Sequence, residues 1–195
     1  MTAARVAGIR RMLRVSHIPN LICMVRIILV IPIVFSLLSG NFRWALILIF
    51  IAGFSDALDG FLAKNFHWRT RLGGLLDPLA DKLLLVSVIL TLTYLDFSPL
   101  WLACVVIGRD LIIITGATVY NFLIGPVEPN PSFISKLNTG CQLLYMLFVI
   151  SHQAFNWPQN TVVLVTGAAV LFSSVVSGLD YVVRWSAKAI TVRTG

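Results

Sequence analysis

The chain has 195 residues, of which 58% are hydrophobic and only 12% carry a charged side chain. A water-soluble globular domain has about 25% charged residues, so this composition excludes that class and predicts an integral membrane protein. Lys and Arg outnumber Asp and Glu by 15 to 8. The basic residues flank apolar stretches and form no patch with interleaved aromatic residues, so no nucleic-acid partner is expected.

Six apolar stretches follow one another along the chain, each close to the roughly 20 residues that a transmembrane helix needs. They are residues 21–39, 43–63, 73–95, 99–123, 134–154 and 161–184. Most of the segments between them are rich in the glycine, proline, asparagine and aspartate that are typical of turns. We therefore expect an all-α fold, a single polytopic membrane domain over residues 1–195 with six transmembrane helices. A short amphipathic helix at the membrane surface is expected before residue 20.

The predicted loops differ in charge between the two sides of the membrane. Eleven cations collect on the side that holds both termini, whereas Arg43 alone lies on the other side. Because Lys and Arg accumulate in cytoplasmic loops, both termini are expected in the cytoplasm, as in a bacterial-type inner (plasma) membrane protein. The N-terminal stretch bears arginines and no acid, which leaves a mitochondrial presequence, and hence the mitochondrial inner membrane, as an alternative.

Four of the eight acidic residues lie where the second predicted helix ends and the third begins. Asp56 and Asp59 are three positions apart, and Asp77 and Asp81 are four apart, so each pair lies on one face of its helix. A short connecting loop would make the two helices antiparallel neighbours, with all four carboxylates close to the cytoplasmic surface. Ionisable side chains are costly inside a membrane, so this cluster indicates a functional site.

Carboxylate oxygens favour hard divalent cations such as Mg²⁺ or Mn²⁺, and the neighbouring residues Gly60, Ala63, Gly73 and Gly74 leave room for a ligand. Carboxylates, cations and adjacent basic residues suggest phosphoryl-type chemistry. Three alternatives stay open. The aspartates could cap helices and pair with nearby cations, the protein could be an ion-coupled transporter, or it could be a catalytically silent scaffold. A transport path should cross the bilayer, but the outer halves of the predicted helices lack ionisable residues.

This pattern resembles the motif of the CDP-alcohol phosphotransferases, D-x-x-D-G-x-x-A-R-x8-G-x-x-x-D-x-x-x-D. Seven of its eight fixed positions match here with the correct gaps. The exception is Lys64, where the family usually has Arg. This change keeps the charge but loses the planar fork of the guanidinium. The corresponding residues are Asp56, Asp59, Gly60, Ala63, Lys64, Gly73, Asp77 and Asp81, and the resemblance extends over about residues 17–185.

The resemblance implies an enzyme with two divalent cations, Mg²⁺ or Mn²⁺, held by Asp56, Asp59, Asp77 and Asp81. Asp81 would also be the general base: it would deprotonate an alcohol that attacks the lipid-side phosphorus of CDP-diacylglycerol, and CMP would leave. The residues expected near the nucleotide and pyrophosphate are Arg26, Gly60, Ala63, Lys64 and Gly73.

The sequence bears further on two of the expectations, the role of Arg26 and the oligomeric state. Arg26 ends the run PNLICMVR, which resembles the start of phosphatidylglycerol-forming members, but it could instead extend to the membrane surface. The resemblance also implies a homodimer, and the small residues Gly167, Ala168 and Ala169 would allow close helix contact.

The acceptor alcohol is expected to contact four cations: Arg69, Arg71, Arg109 and Lys136. Family members that use glycerol-3-phosphate typically have a second Arg eight positions after the one matched by Arg109, but this chain has Ala117. The stretch PSFISKLNTGCQLLY resembles eukaryotic-type cardiolipin synthases, whose acceptor is phosphatidylglycerol. We therefore expect phosphatidylglycerol, with glycerol-3-phosphate as the alternative. Lys136 could instead be a topological anchor, and Arg109 could instead form a buried ion pair with Asp110.

Overall fold

The computed structural model describes residues 18–66, 73–123 and 133–194, and these residues form helices and short turns without a strand. The six helices are α1 Ile18–Leu38, α2 Phe42–Phe66, α3 Gly73–Tyr94, α4 Leu100–Leu123, α5 Phe133–Phe155 and α6 Asn160–Thr194. All six predicted helices are thus confirmed as helices. The expected N-terminal amphipathic helix lies outside the described residues.

Three tight turns occur where the sequence predicts them. Gly40 follows α1 with φ +73°, a left-handed conformation that glycine adopts without steric cost, and its N–H donates to the carbonyl of Leu37. Asp96 and Asn156, in the turns before α4 and α6, have φ values of 62° and 53°. Aspartate and asparagine tolerate this region better than other side chains, so local chemistry accounts for all three helix ends.

Helix α6 is longer than its apolar stretch, because it continues past residue 184 to Thr194. Alanine and lysine in this last part are good helix formers, and hydropathy alone does not detect a polar helix end. Over the described residues, two helical stretches are long and apolar enough to cross a membrane, Phe133–Phe155 and Asn160–Val183. Two others are apolar but shorter, Cys23–Leu38 and Phe42–Ser55.

The chain divides into two compact units, residues 1–91 and 92–195. In the first unit α1 packs along α2. The buried side chains of α1 are Cys23, Arg26, Ile33 and Leu37. Their spacing of mostly three or four residues places them on one face of the helix. A charged residue, Arg26, therefore lies in an otherwise apolar helix face.

In the second unit α6 packs against both α4 and α5. Helices α5 and α6 are antiparallel, because Asn138 lies beside Ser174 and Tyr145 lies beside Gly167. A Cβ atom on Gly167 would lie 3.1 Å from Cε2 of Tyr145. Gly167 thus provides close packing inside the chain, whereas its neighbours Ala168 and Ala169 are exposed.

Candidate active site

The structure places the acidic motif on two helices. Asp56 and Asp59 lie in the second half of α2, and Asp77 and Asp81 lie in the first half of α3, so the members of each pair are one helical turn apart, as predicted. The other motif positions lie on the same two helices: Gly60, Ala63 and Lys64 on α2, and Gly73 at the start of α3. Among the motif side chains only that of Asp81 is described, so the convergence of the four carboxylates stays a prediction.

Asp81 forms an ion pair with Arg26 of α1, in which Nη1 of Arg26 donates to Oδ1 of Asp81 at 2.5 Å. The two partners differ in burial: 1% of the Arg26 side chain is exposed, against 46% of the Asp81 side chain. The alternative in which Arg26 extends to the membrane surface is therefore wrong, because the guanidinium is directed into the protein. The carboxylate is the accessible member of the pair.

The carboxylates of this motif fit the cations that the sequence suggests. An oxygen-only donor set is what Mg²⁺ and Mn²⁺ prefer. Asp81 is half exposed and already accepts a hydrogen bond from a positively charged group, the Arg26 guanidinium. A half-exposed carboxylate at this position can bind a cation or accept a proton from an alcohol.

A second polar centre joins α4, α5 and α6, and we call it the Arg109 network: Arg109, Asp110, Ser135 and Ser177. Nη1 of Arg109 donates to Oδ1 of Asp110 at 2.7 Å. Nη2 donates at 2.6 Å to Oγ of Ser135 and at 2.6 Å to Oγ of Ser177. The Arg109 side chain is only 5% exposed, so the buried ion pair considered from the sequence is confirmed.

The acceptor-binding candidates are thus in different environments. Lys136 on α5 is exposed, whereas Arg109 is buried and bonded to its own chain. Arg69 and Arg71 lie outside the described residues. Between α4 and α6 lies a groove of about 330 Å³, with Gly108 and Gly178 among its lining residues and Arg109 beside it. Most of its other lining residues are apolar, including Ile112 and Leu179.

Residues 16–191 of the chain match the family model described as CDP-alcohol phosphatidyltransferase. The chain belongs to this family. The match includes the complete acidic motif and extends into both compact units, and it agrees with the resemblance that the motif indicates.

Curated relatives of the CDP-alcohol phosphatidyltransferase family fall into two groups. Cardiolipin synthases (CMP-forming) from Rattus norvegicus and Homo sapiens are each 32% identical over 180 residues, which cover 84% of this chain and 60% of the relative. A CDP-diacylglycerol–glycerol-3-phosphate 3-phosphatidyltransferase from Aquifex aeolicus is 31% identical over 176 residues, covering 86% of this chain and 95% of the relative. This chain spans about 60% of the length of the rat and human proteins.

Sequence reasoning missed several polar residues that this chain buries. Ser135 and Ser177 bind Arg109, and Oδ1 of Asn138 accepts hydrogen bonds from Ser173 and Ser174 at 2.8 Å each. The signal was present, because Ser135, Asn138 and their neighbour Gln142 recur at spacings of three and four. Such spacing marks one polar face of a helix, which an apolar-stretch search overlooks.

Proposed function

We propose that this chain is a metal-dependent membrane enzyme that transfers a phosphatidyl group from CDP-diacylglycerol to an alcohol and releases CMP. The reaction would serve the synthesis of anionic glycerophospholipids. The observation that carries the proposal is the family match over residues 16–191 together with a motif in which all four carboxylates are retained. Family membership also makes an ion-coupled transporter the weaker explanation of the same carboxylates.

In the proposed reaction the acceptor hydroxyl attacks the phosphorus on the lipid side of the pyrophosphate. An oxygen–phosphorus bond forms to the acceptor, the bond from that phosphorus to the bridging oxygen breaks, and CMP leaves with the bonding electron pair. Asp81 accepts the proton of the hydroxyl, a role that requires an accessible carboxylate. Nucleotide contacts are assigned to Gly60, Ala63, Lys64 and Gly73.

The residues that would hold the two Mg²⁺ or Mn²⁺ ions are Asp56, Asp59, Asp77 and Asp81. When bound, such ions neutralise the negative charge of the phosphates. The chain's own part is to present carboxylate oxygens from two neighbouring segments of sequence, each on a rigid helix. One turn of each helix would therefore supply all four carboxylates.

We infer that the acceptor is phosphatidylglycerol, which would make the protein a cardiolipin synthase. A phosphate monoester such as glycerol-3-phosphate is best held by more than one cation. Arg109 already donates to Asp110, Ser135 and Ser177, and the later position has Ala117 instead of Arg. The apolar groove between α4 and α6 suits an acyl chain, as a lipid acceptor would require. The Aquifex aeolicus relative keeps glycerol-3-phosphate as the second candidate.

We further propose six transmembrane helices with both termini in the cytoplasm and the carboxylates at the cytoplasmic surface. This arrangement would let a lipid substrate and a soluble nucleotide meet at one site. Arg69, Arg71 and Lys136 would then be the cations available to the acceptor. A homodimer is proposed from the family resemblance.

The test is CMP release by purified protein in detergent with CDP-diacylglycerol and Mg²⁺ or Mn²⁺. Parallel reactions contain phosphatidylglycerol, glycerol-3-phosphate or no acceptor. We expect CMP only with phosphatidylglycerol. CMP release only with glycerol-3-phosphate would identify glycerol-3-phosphate, and not phosphatidylglycerol, as the acceptor. No CMP release with either acceptor would overturn the proposed transferase reaction for these acceptors.

The assignment of Asp81 predicts that Asp81→Asn lowers CMP release by about 10²–10⁴-fold, the usual loss when a general base is removed. Asp96→Asn is the matched control. Asp96 is an exposed aspartate in the turn before α4, and asparagine tolerates its φ of 62°. Full activity of Asp81→Asn would exclude Asp81 as the base.

A further inference from the structure

Arg26 is a buried charge with an accessible partner. Only 1% of its side chain is exposed, yet it carries a permanent positive charge. A buried charge is costly unless it is paired, and Nη1 of Arg26 is paired with Oδ1 of Asp81 at 2.5 Å. Since 46% of the Asp81 side chain is exposed, the carboxylate and not the guanidinium is accessible to a substrate.

This geometry does not favour a direct contact between Arg26 and the pyrophosphate. A residue that binds a phosphate group must present its N–H groups to the ligand, but the Arg26 side chain is directed into the protein. It shares the buried face of α1 with Cys23, Ile33 and Leu37. The packed face restricts the motion of the side chain, which makes Arg26 a rigid support for its partner.

We propose that Arg26 is a positioning residue that fixes the orientation of the Asp81 carboxylate. The proposal rests on the proposed function, in which Asp81 contacts the acceptor hydroxyl. One carboxylate oxygen is held from the buried side by the guanidinium, and the carboxylate therefore keeps one orientation towards the accessible side. Misplacement of a catalytic group by about 1 Å can cost about 10²-fold in rate, so the effect of Arg26 appears in the chemical step.

Kinetics of Arg26→Met and Arg26→Lys separate this role from pyrophosphate binding. We expect Arg26→Met to lower kcat by about 100-fold while the KM for CDP-diacylglycerol changes less than about threefold. Arg26→Lys should recover part of kcat, because it restores the charge but not the planar fork. Arg43→Met, at an exposed arginine in the first turn of α2, is the control and should leave both constants unchanged. A large rise in KM with kcat retained would overturn the positioning role.

A double-mutant cycle tests whether Arg26 acts through Asp81. Unfolding temperatures in detergent are measured for the wild type, Arg26→Met, Asp81→Asn and the double variant. Because each single change removes the same Arg26–Asp81 ion pair, the double variant should lose clearly less than the sum of the two single losses. The kcat values should follow the same non-additive pattern. Arg26→Gln, which also removes the charge, carries the test if Arg26→Met fails to fold.

The two readouts distinguish the failure of this inference from the failure of the proposed function. The stability cycle needs no acceptor and no turnover. A wild-type protein that releases no CMP would overturn the proposed function and the catalytic role of Arg26 with it. An active wild type with additive losses in the cycle would overturn the positioning role alone.

Discussion

Gln142 on α5 is a buried amide without a hydrogen-bond partner. Its side chain is 1% exposed, and neither Oε1 nor Nε2 has a partner. Asn138, one turn earlier, accepts from Ser173 and Ser174 through Oδ1, but its Nδ2 also has none. A buried polar group without a partner costs about 1–3 kcal/mol, so this part of the α5–α6 contact contains a local destabilising feature.

Replacement of Gln142 by leucine is therefore expected to stabilise the protein. Gln142→Leu keeps a similar side-chain volume and removes two polar atoms without partners, so the free energy of unfolding should rise by about 1–3 kcal/mol. The measurement is the unfolding temperature in detergent. Gln153→Leu, on the same helix at a less buried position, is the control and should change little. A lower unfolding temperature for Gln142→Leu would indicate that a buried water binds this amide.

At the scale of the helices, α5 and α6 are held together by a close side-chain contact in the middle of α5 and by hydrogen bonds near its start. The ring of Tyr145 lies against Gly167, and the Tyr145 hydroxyl donates to Oγ of Ser98 at 3.0 Å. The hydrogen bond fixes the ring that the glycine contacts. Towards the start of α5, Ser135 and the α6 residue Ser177 both bind Arg109 of α4, so three helices are connected through one side chain.

The Tyr145 contact predicts opposite effects for two glycine-to-alanine changes. Gly167→Ala would place Cβ at 3.1 Å from Cε2 of Tyr145, and we expect a loss of about 1–3 kcal/mol because the tethered ring cannot move away freely. Gly140→Ala on α5 meets no atom within 4 Å and should gain about 0.5–1 kcal/mol from higher helix propensity. Unfolding temperatures of the two variants provide the test. Equal effects would contradict the close packing.

The helices themselves and the ion pair between the neighbours Arg109 and Asp110 were predictable from sequence, whereas the distant partners of the buried charges were not. Apolar stretches bounded by Gly40, Asp96 and Asn156 gave helix ends close to those observed, because helix formation and its termination depend on neighbouring residues. Arg26 pairs with a residue 55 positions away, and Arg109 binds serines 26 and 68 positions away. A spacing pattern can mark the polar face of one helix, but the pairing of residues so far apart in sequence follows only from tertiary packing.

At the scale of the whole molecule, the distribution of cations determines the orientation that we expect in the membrane. The family match extends over residues 16–191 and thus into both compact units; that they form one domain stays a prediction. Among the residues whose side chains are described, Lys136 is an exposed cation at the start of α5, and Arg43 is an exposed cation at the start of α2. The expected topology places these two on opposite sides of the membrane.

Single cysteines introduced into a variant without Cys23, Cys104 and Cys141 test this topology. Cysteines at Asn41 and Gln159, both exposed in turns, should react with a membrane-impermeant maleimide added outside intact cells. A cysteine at Lys136 should react only after the membrane is opened, because cytoplasmic loops retain the basic residues. Labelling of the cysteine at position 136 in intact cells would show that the orientation is opposite to the expected one.

The polar face between α5 and α6 also has a consequence for how the protein is made. If α5 entered the lipid without α6, the side-chain amides of Asn138 and Gln142 would be exposed to acyl chains, which is unfavourable. Beside α6, Asn138 accepts hydrogen bonds from two serines. During synthesis α5 should therefore be retained by the insertion machinery until α6 has been translated, and the two helices should enter the bilayer together as a hairpin.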